Sequence, residues 1–308
     1  MADGSLRVLC GPTAGGKSAF AFALSATTPL AVISADSRQI YRGFDIGTAK
    51  PSAGERSRLP HFGVDVAAPV DRYSAAAWAE GAAAWIAEAR AMGRTPAIVG
   101  GTGFYIRALA SPLFREPPLD PFRRAELAAE LAPLTTEALR RRVERVDPRR
   151  ARLGRAQLLR ALEVATLTGR PLSAWHAEQR GAAPRVARYL LIDPGAPLAG
   201  RIGERVVRML DEGWEQEVDE LMRAVAAGAP AWNATGYGVV RDLVRGRIKR
   251  ATAIERVTIA TRQYAKRQRT WFRHQLGKAH VTRLDPDARD ALDRARAWWD
   301  GDDGGRDA

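Results

Sequence analysis

Apolar and polar positions repeat along this chain with two periods, and the switching between them lays out a layered α/β protein. Short apolar runs occur near 6–10, 30–34, 62–66, 96–100 and 187–192, each of a length suited to a buried strand. Between several of them the apolar positions recur at helical spacing, as in 16–27, 74–92 and 197–211. Alternation of this kind predicts a parallel sheet covered by helices. From about 115 to 184 the strand-like runs stop. Glu116-Pro117-Pro118-Leu119-Asp120-Pro121 opens that stretch, Gly181-Ala182-Ala183-Pro184 closes it, and Arg-rich helical patterns lie between. The expected organisation is an α/β core built from 1–114 and 185–300, an all-helical insertion at 115–184, and a disordered tail at 301–308.

The 252–273 stretch predicts one long helix. At about 100° per residue, Arg262, Lys266, Arg269 and Arg273 share a narrow stripe, with Val257, Tyr264 and Trp271 on the opposite side. The apolar side should pack on the core and leave a basic ridge outward. Arg267 projects nearer the apolar side, so it either snorkels or reaches a buried anion.

Chemistry enters at residues 11–18. Gly11-Pro12-Thr13-Ala14-Gly15-Gly16-Lys17-Ser18 has the spacing G-x-x-x-x-G-K-S. Backbone N–H groups of such a loop wrap phosphate oxygens, and the helix that follows points its positive end at them. Lys17 adds a charge, and Ser18 offers a hydroxyl to Mg²⁺. The apolar strand Leu6–Cys10 before it and the helical run after it supply the required setting. A di- or triphosphate ligand follows. The strand at 30–34 delivers Asp36 and Ser37 to its C-terminal end, where ligands sit in open α/β sheets. Asp36 can act there as a general base, bind Mg²⁺ through water, or cap a turn. A third strand ends in Gly100-Gly101-Thr102-Gly103, which permits close backbone approach to a ligand or makes a plain turn. Tyr189-Leu190-Leu191-Ile192-Asp193 imitates the strand-borne Mg²⁺ aspartate of an NTPase. That pattern is read as a decoy, yet it keeps a P-loop kinase or a nucleic-acid-binding ATPase open.

Composition narrows the setting. No run of eighteen apolar residues marks a membrane span, and the first residues lack a basic-then-apolar signal, so a cytoplasmic protein is expected; a monomer is expected as well. Cys10 is the single cysteine, which excludes an intrachain disulfide and a cysteine-based zinc cluster. His61, His176, His274 and His280 show no ligand spacing. The net charge is +13, and only five of the 48 basic residues are lysine. The positive charge is concentrated. Residues 120–160 hold eleven arginines against six acids, and 241–274 hold eleven Arg/Lys against two. Concentration of that kind is the footprint of a polyanion partner, solvated helices being the plainer explanation.

Beyond the loop, the block Asp36-Ser37-Arg38-Gln39-Ile40-Tyr41-Arg42-Gly43-Phe44-Asp45-Ile46-Gly47-Thr48-Ala49-Lys50-Pro51 resembles the tRNA dimethylallyltransferases. So do Gly100–Tyr105, Arg160–Val164, Arg201-Ile202 with Arg205 and Met209, Gly236-Tyr237, and Thr261–Trp271. The resemblance implies a P-loop core with a helical insertion, and Mg²⁺ as cofactor. It implies transfer of a dimethylallyl group from dimethylallyl diphosphate to N6 of the adenosine 3′ of the anticodon, in tRNAs that read codons beginning with U. It assigns proton acceptance to Asp36 and diphosphate binding to the Gly11–Ser18 loop with Arg205. It turns Asp36, Ser37, Arg38, Gln39, Thr102, Arg124, Gln157, Arg160, Gly236, Tyr237, Lys266, Arg267, Arg269 and Arg273 toward the tRNA anticodon stem-loop. A rival with the same chemistry would prenylate free AMP, ADP or ATP. Two departures from the family pattern, Gly154 with Gln157 and Gly238-Val239, fall among the implied tRNA contacts.

Overall fold

The structure, a computed structural model, describes residues 5–111, 119–178, 186–276 and 280–301. The expected disordered tail beyond Gly301 lies outside them, as do parts of both segments that bound the insertion. The chain divides into two compact units, 1–110 with 185–308, and 111–184.

The described residues of the larger unit carry a six-stranded sheet. Its strands are β1 (Leu6–Cys10), β2 (Leu30–Ser34), β3 (His61–Phe62), β4 (Thr95–Gly100), β5 (Ala187–Ile192) and β6 (Val281–Leu284), in the order β3-β2-β4-β1-β5-β6. Every pairing is parallel. Parallel strands are covered on both faces, which is why β2 reads Leu-Ala-Val-Ile-Ser and is buried throughout. The helices of this unit are α1 (Lys17–Ser25), α2 (Ala53–Arg58), α3 (Ala75–Ala91) and α4 (Gly103–Ala110), then α9 (Leu198–Asp211), α10 (Trp214–Ala224), α11 (Tyr237–Val244), α12 (Arg250–Gln275) and α13 (Ala291–Asp300). One core cluster joins Leu9, Leu24, Leu30 and Ile192 to Trp298 and Trp299. The chain leaves β1 for β2 and β3 on one side, returns through β4, and crosses to β5 and β6. The phosphate loop follows β1 at that switch point, the place where such sheets bind ligands.

Two strands differ from expectation. The run at 62–66 pairs only at His61–Phe62, because Gly63 (φ 75°) and Asp65 (φ 59°) turn the backbone left-handed. The edge strand β6 was not anticipated: at four residues, with Arg283 exposed, it is too short and too polar to stand out.

The smaller unit is helical in its described residues: α5 (Pro121–Leu131), α6 (Thr136–Val146), α7 (Arg155–Thr168) and α8 (Leu172–Glu178). Leu131, Leu139, Val143, Ala151, Leu158, Ala161 and Leu162 form its core. Asp120 and Thr135 cap α5 and α6 through their side chains. Such caps contribute about 1 kcal/mol each, a sizeable share for so small a core.

Candidate active site

The loop after β1 is held from inside the protein. Gly16 takes φ 95°, a conformation that lets the backbone turn into α1 without a side-chain clash. Lys17 Nζ donates to Pro12 O at 2.7 Å, so the ammonium is folded over its own loop. Burial pushes the Lys17 pKa down to about 8, with the Asp36 charge opposing the fall and Arg205 adding to it. The guanidinium of Arg205 is lowered too, first by burial, again against the pull of Asp36. Lys17, Asp36 and Arg205 therefore sense one another, in a corner prepared for an anion.

Asp36 follows β2. Its Oδ1 accepts the N–H of Arg38 at 2.8 Å and that of Gln39 at 3.4 Å. The turn-capping role and the catalytic role are thus compatible. One oxygen closes the turn, and the other has no hydrogen-bond partner among the described residues. Asp36 lines a small cavity with Thr13, Arg38, Gly47, Thr48, Arg205, Trp214 and Tyr264. Lys17 and Ser18 line a much larger one, about 1180 Å³, with Phe22, Val32, Ile46 and Arg208. Arg205 and Met209 line both. Tyr264 is pushed up to about 12, chiefly by burial and then by the Asp36 charge.

Among the described residues no cluster of three or more His, Cys, Asp or Glu could cage a metal. The donor set nonetheless fits Mg²⁺, a hard ion held by few protein oxygens plus substrate phosphates. The Ser18 hydroxyl is exposed to the large cavity. Asp193 is not available to such an ion. Arg269 donates to both of its carboxylate oxygens, through Nε at 2.8 Å and through Nη2, and Gly195 N–H donates to Oδ1.

That pairing also corrects the expected ridge on α12. Lys266, Arg267 and Arg273 are exposed. Arg269 instead turns inward to Asp193, and Arg262 Nη2 donates to Ala199 O at 3.1 Å. Arg267 pairs with no buried carboxylate among the described residues; its guanidinium lies 5.8 Å from the Tyr264 ring centre. The glycines after β4 are also reassigned. A Cβ at Gly100 would meet Ala35 O at 2.2 Å, one at Gly101 would meet Gln268 Nε2 at 2.2 Å, and one at Gly103 would meet the Trp271 ring at 2.1 Å. They admit neighbouring protein, not a ligand.

Of the expected tRNA-facing residues, Tyr237 is the clear correction. It is fully buried, its hydroxyl donates to Glu217 at 2.6 Å, and its ring packs on Phe44 and Trp214. Gly236, beneath the Trp214 ring, is buried with it. Gln39 is occupied as a staple. It accepts from the Ser34 hydroxyl and donates to Thr48 O and Ala49 O. Ser37 N–H donates to Thr102 Oγ1 at 3.0 Å. In the helical unit, Arg124 and Arg160 both bond Glu163, while exposed Gln157 reaches back to the Gly154 N–H at 3.0 Å.

Three residues escaped the sequence reading. Gln268 is buried and bridges the phosphate loop to the β4 turn: its Oε1 accepts Thr13 N–H at 2.8 Å, and its Nε2 donates to Gly101 O at 3.0 Å. Lys50 is buried between Asp45 and Asp65. Glu217 gathers the backbone at 45–47. A polar residue on the apolar face of α12 was the one available signal, for Gln268.

Comparison with known proteins agrees with this geometry. The IPP transferase family profile matches residues 39–275, and that of isopentenyl transferase matches 4–60. A tRNA dimethylallyltransferase of Halorhodospira halophila is 45% identical over 89% of this chain and 92% of its own length. One from Deinococcus radiodurans is 39% identical over 96% and 97%. The crystal structure of the Bacillus halodurans tRNA isopentenylpyrophosphate transferase superposes with TM-score 0.68 at 31% identity, covering 97% of each chain. A eukaryotic dimethylallyltransferase captured acting on tRNA superposes with TM-score 0.79 at 25% identity, covering 95% of this chain and 77% of that one. A P-loop core with its phosphate loop and Asp36 in one corner, matched over nearly its whole length, places this chain in the IPP transferase family, among the tRNA dimethylallyltransferases.

Proposed function

We propose that this protein transfers a dimethylallyl group from dimethylallyl diphosphate to N6 of adenosine 37 in the tRNA anticodon loop, in tRNAs reading codons that begin with U. The observation that carries the reading is the corner itself: an anion-holding loop, Lys17 and Arg205 beside a carboxylate with one uncommitted oxygen. As the allylic C1–O bond loosens, positive charge spreads over the allyl group and negative charge grows on the departing diphosphate. Loop N–H groups, Lys17 and Arg205 stabilise that growing charge. The exocyclic amine is a poor nucleophile until it sheds a proton, and Asp36 accepts it as the N6–C1 bond forms. Ser18 would hold Mg²⁺ together with diphosphate oxygens, and the bound ion would neutralise part of their charge.

The target base must leave its stack, at a cost of roughly a few kcal/mol that is lower in a loop than in a duplex. Phosphate contacts offset this. Exposed Lys266, Arg267 and Arg273, together with arginines of the helical unit, are the groups proposed to make them. The reading fits a cytoplasmic monomer; among the described residues, no helix is long and apolar enough to cross a membrane. A kinase or ATPase reading loses its metal aspartate to the Arg269 pair.

The test is incubation with dimethylallyl diphosphate, Mg²⁺ and either unmodified tRNA or AMP, followed by nucleoside mass analysis. Prenyl-adenosine in tRNA is the expected result. Product on AMP alone would move the acceptor to the free nucleotide, and no product on either would overturn prenyl transfer.

A further inference from the structure

The loop at 45–50 borders both cavities. Asp45, Ile46, Ala49 and Lys50 face the large one with the phosphate loop, while Gly47 and Thr48 face the small one with Asp36. It is thus a wall shared by the phosphate-loop side and the Asp36 side. The loop is neither helix nor strand; Ala49 N–H to Ile46 O and Lys50 N–H to Asp45 O close it on itself, and side chains fasten it to the rest of the protein.

Gln39 holds the loop at its 48–49 end, and Glu217 on α10 holds its 45–47 end. Its Oε2 accepts the N–H groups of Asp45 at 2.9 Å and Ile46 at 2.5 Å, and its Oε1 accepts Gly47 N–H at 3.5 Å and the Tyr237 hydroxyl at 2.6 Å. Four donors converging on one carboxylate make a charge-assisted cradle of fixed geometry. The Tyr237 phenol is raised, by burial first and by Glu217 next, and stays protonated as a donor. On its other side the loop packs against Trp214. A Cβ at Gly47 would lie 2.2 Å from Trp214 Nε1, and that buried indole N–H has no hydrogen-bond partner among the described residues.

We infer that Glu217 is a positioning residue for prenyl transfer: its carboxylate, clasped by the 45–47 backbone and Tyr237, holds the wall shared by the two cavities at the reactive spacing. The inference rests on the proposed function and names a group outside the reacting atoms. It also supplies a role for Tyr237 that needs no contact with RNA. Misplacement of reacting groups by about 1 Å can cost on the order of 10²-fold in rate.

The full chain is compared with Glu217→Gln, Glu217→Asp, Tyr237→Phe and Gly47→Ala. Steady-state prenylation, tRNA binding by filter assay and the folded fraction by circular dichroism are measured for each. Glu217→Gln should lower kcat about 10- to 100-fold, with tRNA Kd changed less than about twofold, since the carboxylate is taken up by loop N–H groups and the Tyr237 hydroxyl. Glu217→Asp should recover part of the loss, and Tyr237→Phe should show a milder one. Gly47→Ala, which pushes the loop off Trp214 with Glu217 intact, should reproduce the kcat defect. If Glu217→Gln does not fold, Tyr237→Phe and Gly47→Ala carry the test. Unchanged kcat per folded molecule in the variants, with an active wild type, would overturn this inference alone. An inactive wild type would overturn the function and this inference with it.

Discussion

Arginine does two different jobs in this molecule. In the core, Arg205 and its neighbour Lys17 are half-buried, and neither makes an ion pair among the described residues. Burial drives both pKa values down. In the helical unit many arginines are spent on local carboxylates: Arg140 on Glu137, Arg142 on Glu130, Arg124 and Arg160 on Glu163, and Arg170 on Glu178. Arg140–Glu137 and Arg142–Glu130 are exposed pairs, of a kind that contributes about 0–1 kcal/mol. Two half-buried cations without a carboxylate partner among the described residues point to a ligand more directly than eleven arginines counted along a segment. A charge total over a stretch of sequence measures composition; the cost of keeping a cation from its partner measures preparation for a ligand.

The sharpest way to break the comparison is at Asp36. Asp36→Asn keeps an oxygen that can accept the Arg38 and Gln39 N–H groups, yet loses the base. Turnover should fall about 10²–10⁴-fold with tRNA Kd nearly unchanged; a loss of only a few-fold would leave Asp36 as a turn cap. Next comes Arg205→Ala, which removes a charge from the diphosphate side. It should cost about 10²–10³-fold in kcat/KM, and single-turnover rates at saturating donor would separate binding from leaving-group stabilisation.

Lys17 gives a pH signature. A lowered pKa means that the free fold disfavours the ammonium relative to water. Lys17's contribution to stability is therefore full above the ordinary lysine range and is lost as pH falls from there through about 8. A bound diphosphate favours the ammonium, with Asp36 acting in the same sense and Arg205 against it. Inorganic diphosphate should therefore bind more weakly as pH rises above about 8, approaching tenfold per unit. Calorimetry in buffers of different ionisation enthalpy should show proton uptake in that range, and a flat profile would place the ammonium outside the anion site.

The smallest effects belong to the helical unit. Exposed Arg141, Arg145 and Arg149 have no ion-pair partner among the described residues. Replacing the three with alanine should weaken tRNA binding and flatten its salt slope by about 0.7–0.9 for each phosphate no longer neutralised. Donor KM should stay the same. Arg124→Ala, which breaks an exposed pair, should change binding less than the triple variant does. An equal effect would mean that RNA displaces Glu163.

Legibility followed the range of the interactions. The strands and the loop were readable because buried parallel strands are continuous apolar runs and the G-x-x-x-x-G-K-S spacing is local. His61–Phe62 and β6 were poorly readable because a left-handed turn and a polar edge leave no periodic trace. At the site, Gly11–Ser18 and Asp36 stood out as blocks. Gln268 and Glu217 did not: each acts on backbone groups distant in sequence, and a lone polar residue on a helix has the same appearance whether it faces water or clasps a loop. The same limit misplaced Tyr237 and Arg269. A motif reports that a residue type matters, without saying toward which partner it turns.

The sequence alone determined the layered α/β core, the phosphate-holding loop and the aspartate delivered beside it, because strand period, loop spacing and strand-end placement are properties of short stretches of chain. Only the tertiary structure decided how charge and glycine are used. It folded Arg269 onto Asp193, filled the space beside Gly100–Gly103 with Gln268 and Trp271, and set Glu217 and Tyr237 behind the wall between the two cavities. Those outcomes depend on which surfaces meet across the fold, and the free energy of a buried charge or a close contact is set by its neighbours in space.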